Sequence, residues 1–221
     1  MNQPDLLETI HAMEKAQQGL TRLFEDLTCY ASSLAVEPHL LDLREVWRKV
    51  WSQQLQGGKY TAELIEECSG IDACVSGDRF RLEQVFRNIF ENSLAACPTP
   101  ARIVVHCSEG THRGRPTLRL SVSDNGPGLT RQQRQKVFEP FYTTKSRGTG
   151  LGLPIVKRII EAHGGQITAA DCPRGAEFVI TLLREDSRSL ASHDAMKPTD
   201  TECDPQSFDH TYGADELCQV D

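Results

Sequence analysis

Apolar residues recur in the first part of the chain at alternating spacings of four and three. A 3.5-residue repeat kept over about four heptads is typical of a long helix that packs against another helix. A single amphipathic helix lying on the chain's own domain is the alternative, although it needs a broader apolar face than this one. The repeat consists of Leu6, Ile10, Met13, Gln17, Leu20, Phe24, Leu27, Ala31 and Leu34, of which Gln17 alone is polar.

Beyond Pro38, helical and strand-like patterns alternate. Asp42 with Glu45 three residues later predicts a capping box and a helix that ends before Gly57. Asp78 predicts the start of a second helix, with one apolar stripe, that runs to about residue 96. A further helix begins near Pro154 and ends at Gly164. Strands are predicted at 60–68, 102–107, 117–123, 166–170 and 177–183. This order favours an α/β fold with helices on one face of a sheet.

Composition limits the classes of protein that this chain can belong to. The net charge of −7 over 221 residues argues against nucleic acid as a partner. No apolar run reaches the roughly 18 residues of a membrane span, and no secretory signal is evident, so we expect a cytoplasmic location. Eight scattered cysteines without a C-x-x-C pair predict reduced thiols and no zinc site. The acidic stretch 185–221 has few apolar residues, and we expect it to be disordered.

Two amides lie at the edge of the apolar stripe in the helix that follows Asp78. Asn88 and Asn92 are four residues apart, so their side chains are neighbours at the rim of a cleft over the core. Glu91 is predicted to face solvent. Because Mg²⁺ prefers oxygen ligands and keeps several waters, one amide oxygen is a plausible anchor for it. Taken alone, the pair is more typical of solvated or capping amides.

A compact acidic turn, Asp124-Asn-Gly126-Pro-Gly128, follows the strand predicted at 117–123. Its low side-chain bulk lets backbone approach a flat ligand closely. A buried Asp needs a donor partner, and the exocyclic amine of adenine is one. Without other motifs, a hairpin turn in which the Asp caps its own backbone is the simpler interpretation.

A second glycine-rich run, Gly148-Thr149-Gly150-Leu151-Gly152-Leu153, opens the helix that contains Pro154. Backbone N–H groups at a helix N-terminus bind anions, and the helix dipole strengthens this. Lys145 and Arg147 precede the glycines, where a cation would reach phosphates. The run follows a loop, which excludes a Rossmann fingerprint, and no Gly-Lys-Ser/Thr ends it, which excludes a P-loop.

Together these motifs resemble the N, G1, F and G2 boxes of the catalytic domains of bacterial two-component sensor histidine kinases. The boxes are Asn88/Asn92, Asp124-x-Gly126-x-Gly128, residues 138–141 and Gly148-x-Gly150-x-Gly152, in the family's order. The segment Phe-Glu-Pro-Phe-Tyr-Thr-Thr-Lys145 is similar to the lid of the nitrogen-regulation sensors. The resemblance covers residues 41–184 as an ATP-binding domain, and residues 1–36 resemble the second helix of a dimerisation and phosphoacceptor hairpin.

The resemblance implies a Bergerat-type α/β sandwich, a mixed sheet backed by helices that binds Mg²⁺-ATP under a lid at residues 129–149. Asn92 would ligate magnesium, Asn88 would contact phosphate or the metal shell, and Asp124 would bind the adenine amine in a pocket shaped by Gly126 and Gly128. Asn88 and Lys145 are the implied catalytic residues. The implied phosphate-binding and lid residues are Thr144, Lys145, Gly148, Thr149, Gly150, Leu151, Gly152 and Leu153.

Two positions depart from the family pattern, and a third bears on the reaction. Ala95 replaces a lysine that many members have, and Ala176 replaces a threonine after Gly175. Related hydrolases have a Glu at the position of Asn88 as general base, and an amide cannot take the proton. Transfer of the γ-phosphate to histidine is therefore favoured. A non-catalytic ATP-binding module, or a gyrase-like ATPase, is the alternative.

The resemblance also implies partners: a response regulator receiver domain, and a second copy of the chain that pairs through residues 6–34. Of the seven histidines, His11 alone lies on the heptad helix. Ala12 follows it where the family has an acid, and Ala16 occupies the position of the family's Pro. We therefore expect the phosphoacceptor histidine to come from a segment outside this chain or from another protein.

Overall fold

The computed structural model describes residues 34–112, 114–145 and 148–184, together with scattered positions between 9 and 31. Its helices are α1 (Leu43–Leu55), α2 (Arg79–Ala96), α3 (Arg131–Lys136) and α4 (Gly152–Ala162). Its strands are β1 (His39–Asp42), β2 (Ala62–Glu67), β3 (Cys74–Gly77), β4 (Ala101–His112), β5 (Arg115–Asp124), β6 (Gln166–Ala170) and β7 (Glu177–Leu183).

Five strands form a mixed sheet in the order β2-β4-β5-β7-β6. The β2–β4 pair is parallel, and the other neighbours are antiparallel. The α/β fold predicted from the sequence, a mixed sheet backed by helices, is confirmed. The arrangement matters for function because β5, the central strand, ends at Asp124 beside the start of β7, so that the acidic turn lies at one end of these two inner strands.

The two longer helices begin where the sequence predicts. Asp78 caps α2 by accepting from the N–H of Arg81, and Asp42 caps α1 by accepting from the N–H of Arg44. The predicted capping box at α1 is wrong in its second half, because Glu45 instead pairs with Arg79 at 2.9 Å. Each cap satisfies a backbone donor that the first helical turn leaves without a partner.

Aromatic and aliphatic side chains of α1 and α2 fill the core over the sheet. Trp47 of α1 lies edge-on to Phe86 of α2, with ring centroids 5.8 Å apart. Trp51 makes the same kind of contact with Phe90 at 5.4 Å. Edge-to-face pairs at these distances add to the stabilisation from area burial. This packing fixes α2, which carries the candidate site.

Three short elements were not predicted. Strands β1 and β3 have four residues each and pair with each other antiparallel as a separate two-stranded sheet. Helix α3 lies within the stretch interpreted as irregular, and Thr130 opens it with a complete capping box to Gln133. The signature Thr-x-x-Gln for this helix start is present in the sequence.

The prediction that the cysteines are reduced thiols is wrong for one pair. Cys68 and Cys107 form a disulfide with Cα atoms 4.7 Å apart. Cys68 directly follows β2, and the parallel β2–β4 register pairs Glu67 with His106, so that the two cysteines become neighbours across the strands. Sequence spacing does not reveal such proximity. Cys74, Cys97 and Cys172 are free thiols among the described residues.

The described positions between 9 and 31 are helical, as the heptad pattern predicts. Most described apolar positions of the seam are exposed: Ile10 by 42%, Met13 by 68%, Leu20 by 68%, Phe24 by 71% and Leu27 by 47%. Further along, Tyr30 packs against the core, with the guanidinium of Arg158 5.1 Å from its ring centroid. Residues 185–221, predicted to be disordered, lie outside the described residues.

Candidate functional site

Three residues of α2, Asn88, Asn92 and Ser93, contact three segments that are distant in sequence. Asn88 donates from Nδ2 to the carbonyl of Gly152 at 3.2 Å. The Oδ1 atom of Asn92 accepts from Lys145 at 2.9 Å, and Ser93 donates to Asp124 at 2.8 Å. The two glycine-rich turns and the lid segment therefore meet on one helix, as the order of the motifs suggests.

The contact at Asn92 shows what its amide oxygen attracts. The ammonium of Lys145 lies 2.9 Å from Oδ1 and 3.5 Å from the backbone carbonyl of the same residue. The Lys145 ammonium thus contacts the same Asn92 oxygen that, according to the family resemblance, would ligate magnesium. A neutral oxygen donor that is half-buried and open to a cation fits a hard ion that keeps several waters.

The Asp124 carboxylate is buried, with 9% of the residue exposed. Its Oδ1 accepts from the backbone N–H groups of Gly126 and Ala176, both at 3.0 Å, and its Oδ2 accepts from the hydroxyl of Ser93. Each oxygen of the carboxylate thus accepts at least one hydrogen bond from the protein. The side chain is therefore fixed by its own surroundings before any ligand binds.

Cys97 lies one helical turn beyond Ser93 and faces the same carboxylate. Burial raises the pKa of the Cys97 thiol to about 11, and the nearby charge of Asp124 contributes to that rise. The thiol therefore stays protonated at neutral pH. The sequence interpretation missed both Ser93 and Cys97, because only the folded chain brings them to Asp124.

Glycines allow the backbone segments around Asp124 to touch. A Cβ atom on Gly175, whose φ is 75°, would lie 1.6 Å from the carbonyl oxygen of Asp124. A Cβ on Gly128, whose φ is 79°, would lie 2.8 Å from the carbonyl oxygen of Gly175. The predicted role of Gly128 in shaping this pocket therefore has a steric basis. At Gly126 the nearest atoms are Asp124 Oδ1 and Cys97 Sγ, at 3.0 and 3.4 Å.

The lid segment is attached to the domain at both ends. Phe138 packs against the core, and its ring lies edge-on to Phe178 of β7 at 6.3 Å. Phe141 has a φ of 64° and donates its N–H to the carbonyl of Gly150 at 2.9 Å. A side chain at Gly150 would meet this backbone, since its Cβ would lie 2.5 Å from the carbonyl carbon of Phe141. Gly150 therefore allows two backbone segments to approach each other closely.

The start of α4 offers backbone donors beside the site. Its N-cap, Leu151, makes no side-chain capping hydrogen bond, and the hydroxyl of Thr149 accepts from the N–H of Leu151 at 3.3 Å. A helix N-terminus of this kind attracts anions. Gly152 and Leu153 form its first turn, and Gly148 and Thr144 lie on the lid side of it. Arg147, which the sequence also suggested, lies outside the described residues.

Two sequence interpretations need correction. Glu91 was predicted to face solvent, but it is half-buried and accepts from Gln54 of α1 at 3.4 Å. Asn88 was placed at the rim of a cleft, but it is 8% exposed and its amide nitrogen is bonded to Gly152. The cause is the same in both cases: packing of α1 and α4 covers faces of α2 that a helical wheel leaves open.

Among the described residues, no helix combines the length and hydropathy that crossing a membrane requires. Within the same part of the chain, no group of three or more His, Cys, Asp or Glu side chains is arranged to hold a metal ion. The candidate cation site thus rests on amide oxygen.

The fold is an α/β sandwich in which helices back a mixed sheet. Residues 77–186 match the family described as "Histidine kinase-, DNA gyrase B-, and HSP90-like ATPase". The chain is 30% identical to the catalytic domain of histidine kinase ThkA, covering 96% of that chain and 67% of its own length, with a TM-score of 0.58. The chain therefore belongs to this ATPase family, and membership implies that it binds ATP.

Its relatives are two-component sensor kinases. It is 32% identical over 151 residues to Sporulation kinase B of Bacillus subtilis, covering 68% of this chain and 34% of that protein. It is 41% identical over 191 residues to the histidine-protein kinase BaeS of Escherichia coli, covering 80% of this chain and 39% of that protein. A structure of ThkA in complex with response regulator protein TrrA shares the fold at a TM-score of 0.68 and 24% identity, over 84% of this chain and 53% of that one. The chain thus spans well under half of its curated relatives.

Proposed function

We propose that this domain binds ATP with Mg²⁺ and transfers the γ-phosphate to a histidine in a two-component phosphorelay. The observation that carries the proposal is the convergence of Asn92, Lys145 and Asp124 with the start of α4 around one face of α2. A nucleoside triphosphate requires three kinds of group in its binding site. These are a carboxylate for the base, an amide oxygen for the cation and a helix N-terminus for the phosphates.

Different residues of the site would bind the base, the phosphates and the metal ion of the nucleotide. Asp124 accepts a hydrogen bond from the adenine amine, and the glycines at 126 and 128 let backbone approach the flat base. The N–H groups of Gly152 and Leu153 at the start of α4, with Thr149, hold phosphate oxygens. Asn92 would hold Mg²⁺, which when bound would neutralise charge on the phosphates.

Lys145 changes partner in this scheme. Its ammonium lies 2.9 Å from Oδ1 of Asn92. A metal ion held at that amide would repel the ammonium, and the ammonium would then contact the phosphates instead. The lysine then stabilises the negative charge of the transferring group, which is the main task of the protein in phosphoryl transfer.

The contacts of α2 favour transfer over hydrolysis. This helix carries two carboxylates, and both are bonded to α1: Glu83 to Lys49 at 2.7 Å and Glu91 to Gln54 at 3.4 Å. Asn88 is occupied with Gly152 and cannot accept a proton. Helix α2 therefore provides no general base to activate water, whereas a neutral imidazole is a nucleophile that needs none.

The partners follow from the same relationship. The exposed seam along the described positions of the N-terminal helix would be covered by a second copy of the chain through residues 6–34. The related kinase ThkA forms a complex with the response regulator protein TrrA. By analogy, we propose a receiver domain as the downstream partner here.

Nucleotide binding is tested by calorimetry with ATP in the presence and absence of Mg²⁺. We expect Asn92→Ala to weaken binding at least tenfold with Mg²⁺ and much less without it. Gln53→Ala, an exposed amide on α1, is the matched control and should have no effect. Equal losses with and without metal would show that Asn92 has no role in holding the cation.

Transfer and hydrolysis are separated by measuring phosphate release. The chain alone should release phosphate slowly. The variant Asn88→Glu introduces the carboxylate of the related hydrolases. It tests whether a general base at position 88 is sufficient to speed up phosphate release. Rapid release by the unchanged chain would favour the gyrase-like alternative, and ATP binding without turnover in any assay would favour the non-catalytic one.

A further inference from the structure

The donors around Asp124 are distributed unequally between its two oxygens. Oδ1 accepts two backbone N–H groups, from Gly126 and Ala176, each at 3.0 Å. Oδ2 accepts one hydroxyl, from Ser93 at 2.8 Å. Each carboxylate oxygen has about two lone-pair sites. Oδ1 is therefore filled by the protein, and Oδ2 retains one acceptor site.

We infer that Ser93 is a positioning residue that sets the preference for adenine, by directing the remaining acceptor site of Asp124 Oδ2 at the base. The inference rests on the proposed function, in which Asp124 binds the exocyclic amine. Ser93 acts through Asp124 and does not itself need to contact the nucleotide.

The hydrogen bonding of Ser93 supports this role. A serine within a helix commonly donates to the carbonyl four residues earlier. Ser93, which is 3% exposed, donates instead across to Asp124 on β5. A buried hydroxyl must find a partner, and here the partner is a charged group on another element. The backbone N–H groups of Gly126 and Ala176 hold Asp124 at Oδ1 only. The bond from Ser93 to Oδ2 therefore fixes the orientation of the carboxylate.

Among the described residues, Ser93 supplies the one side-chain hydroxyl that donates to this carboxylate. Position 176 contributes a backbone N–H and a methyl group. The thiol of Cys97 also bonds to this carboxylate, but a thiol is a weak donor. Ser93 is therefore the side chain whose removal leaves Oδ2 without a strong donor from the protein.

Base chemistry makes the consequence measurable. Adenine presents an amine at C6, which donates to the free site on Oδ2. Guanine presents a carbonyl oxygen there, so two acceptors would face each other. A site built to accept from an N–H group discriminates against a ligand that lacks it. If Ser93 orients Oδ2, its loss should weaken binding of ATP but not of a purine triphosphate without the amine.

The experiment measures affinities of the full chain for ATP, GTP and purine riboside triphosphate, which has no group at C6. Ser93→Ala should raise the Kd for ATP about tenfold, the loss of one hydrogen bond to a charged group. The Kd values for the other two nucleotides should change less than twofold. Ser93→Cys, which preserves volume and supplies a weak donor, should lie between Ser93→Ala and the parent.

Ser121→Ala is the matched control, because Ser121 is a buried serine of β5, 7% exposed. It should leave all three affinities unchanged. Equal losses for ATP and for the amine-free analogue in Ser93→Ala, or no loss for either, would overturn the inference while leaving ATP binding intact. A parent chain that binds no ATP would instead overturn the proposed function.

Discussion

Replacing Gly175 with alanine tests how tightly the site is built on backbone contacts. Gly175 has a φ of 75°, and an added Cβ would lie 1.6 Å from the carbonyl oxygen of Asp124. Gly58 provides a matched comparison, because its φ is 67° and no heavy atom lies within 4 Å of the position that an added Cβ would take. Alanine at either position meets backbone strain, but alanine at 175 also meets another strand.

The two effects can be given magnitudes. A left-handed conformation costs an alanine about 1–2 kcal/mol, and the reduced entropy of the unfolded chain offsets about 0.4–1 kcal/mol of this. Gly58→Ala should therefore lower the free energy of unfolding by about 1 kcal/mol. Gly175→Ala adds overpacking against backbone, about 1–3 kcal/mol, which brings the total to about 2–4 kcal/mol. Such a loss is a large part of the stability of a domain, about 5–15 kcal/mol.

Urea titration followed by tryptophan fluorescence measures the difference, because Trp47 and Trp51 lie in α1 against the core. We expect the midpoint of Gly175→Ala to fall well below that of Gly58→Ala. ATP affinity should fall with Gly175→Ala alone, since the displaced Asp124 no longer presents its carboxylate correctly. Equal midpoints for the two variants, with ATP affinity unchanged in both, would refute this view of the site.

Three further outcomes are expected. Phe138→Ala removes a half-buried ring that contacts Phe178 and should cost about 2 kcal/mol of stability, about half the value for a fully buried ring. Phe80→Ala, 69% exposed, is its control and should cost less than about 0.5 kcal/mol in the same urea titration. Because the pKa of Cys97 is raised to about 11, its alkylation should be slow at pH 8 and should accelerate about tenfold per pH unit towards that value. A rate measured by mass spectrometry that levels off near pH 9 would contradict this. Amides at 131–145 should exchange quickly without ligand and slowly with ATP and Mg²⁺, and strong protection in the free chain would count against a lid.

Elements defined by local signals could be predicted from the sequence. Helix α2 runs from Arg79 to Ala96, as the capping residue Asp78 and the apolar stripe indicate. Strands β6 and β7 also have the predicted bounds, because glycines precede each of them. These signals act within one or two turns of chain, so that no tertiary information is needed to recognise them.

Features that depend on tertiary pairing could not be predicted. Strands β1 and β3 are too short for an alternating pattern and gain stability by pairing with each other. The Cys68–Cys107 disulfide depends on the parallel register of β2 and β4. The contact of Ser93 with Asp124 depends on where α2 crosses the sheet. Helix α3 is different, because its capping box was legible in the sequence.

The candidate site divides in the same way. The motifs predicted Asn92, Asp124 and Lys145 as candidate site residues, and in the structure Lys145 and Asp124 contact Asn92 and Ser93 of α2. The sequence does not reveal which group each of these side chains contacts in the folded domain. The contact of the Lys145 ammonium with Asn92, and the bond from Asn88 to Gly152, follow from the packing of the lid and α4 on that helix.

The fate of the γ-phosphate tests the central claim most directly. The chain is incubated with Mg²⁺, γ-labelled ATP and the phosphoacceptor hairpin of a related sensor kinase. We expect label on the histidine of the hairpin, labile in acid and stable in base, and none on the chain itself or with Asn92→Ala. Labelled phosphate released at the same rate with and without the hairpin, and no label on any histidine, would contradict a histidine kinase function.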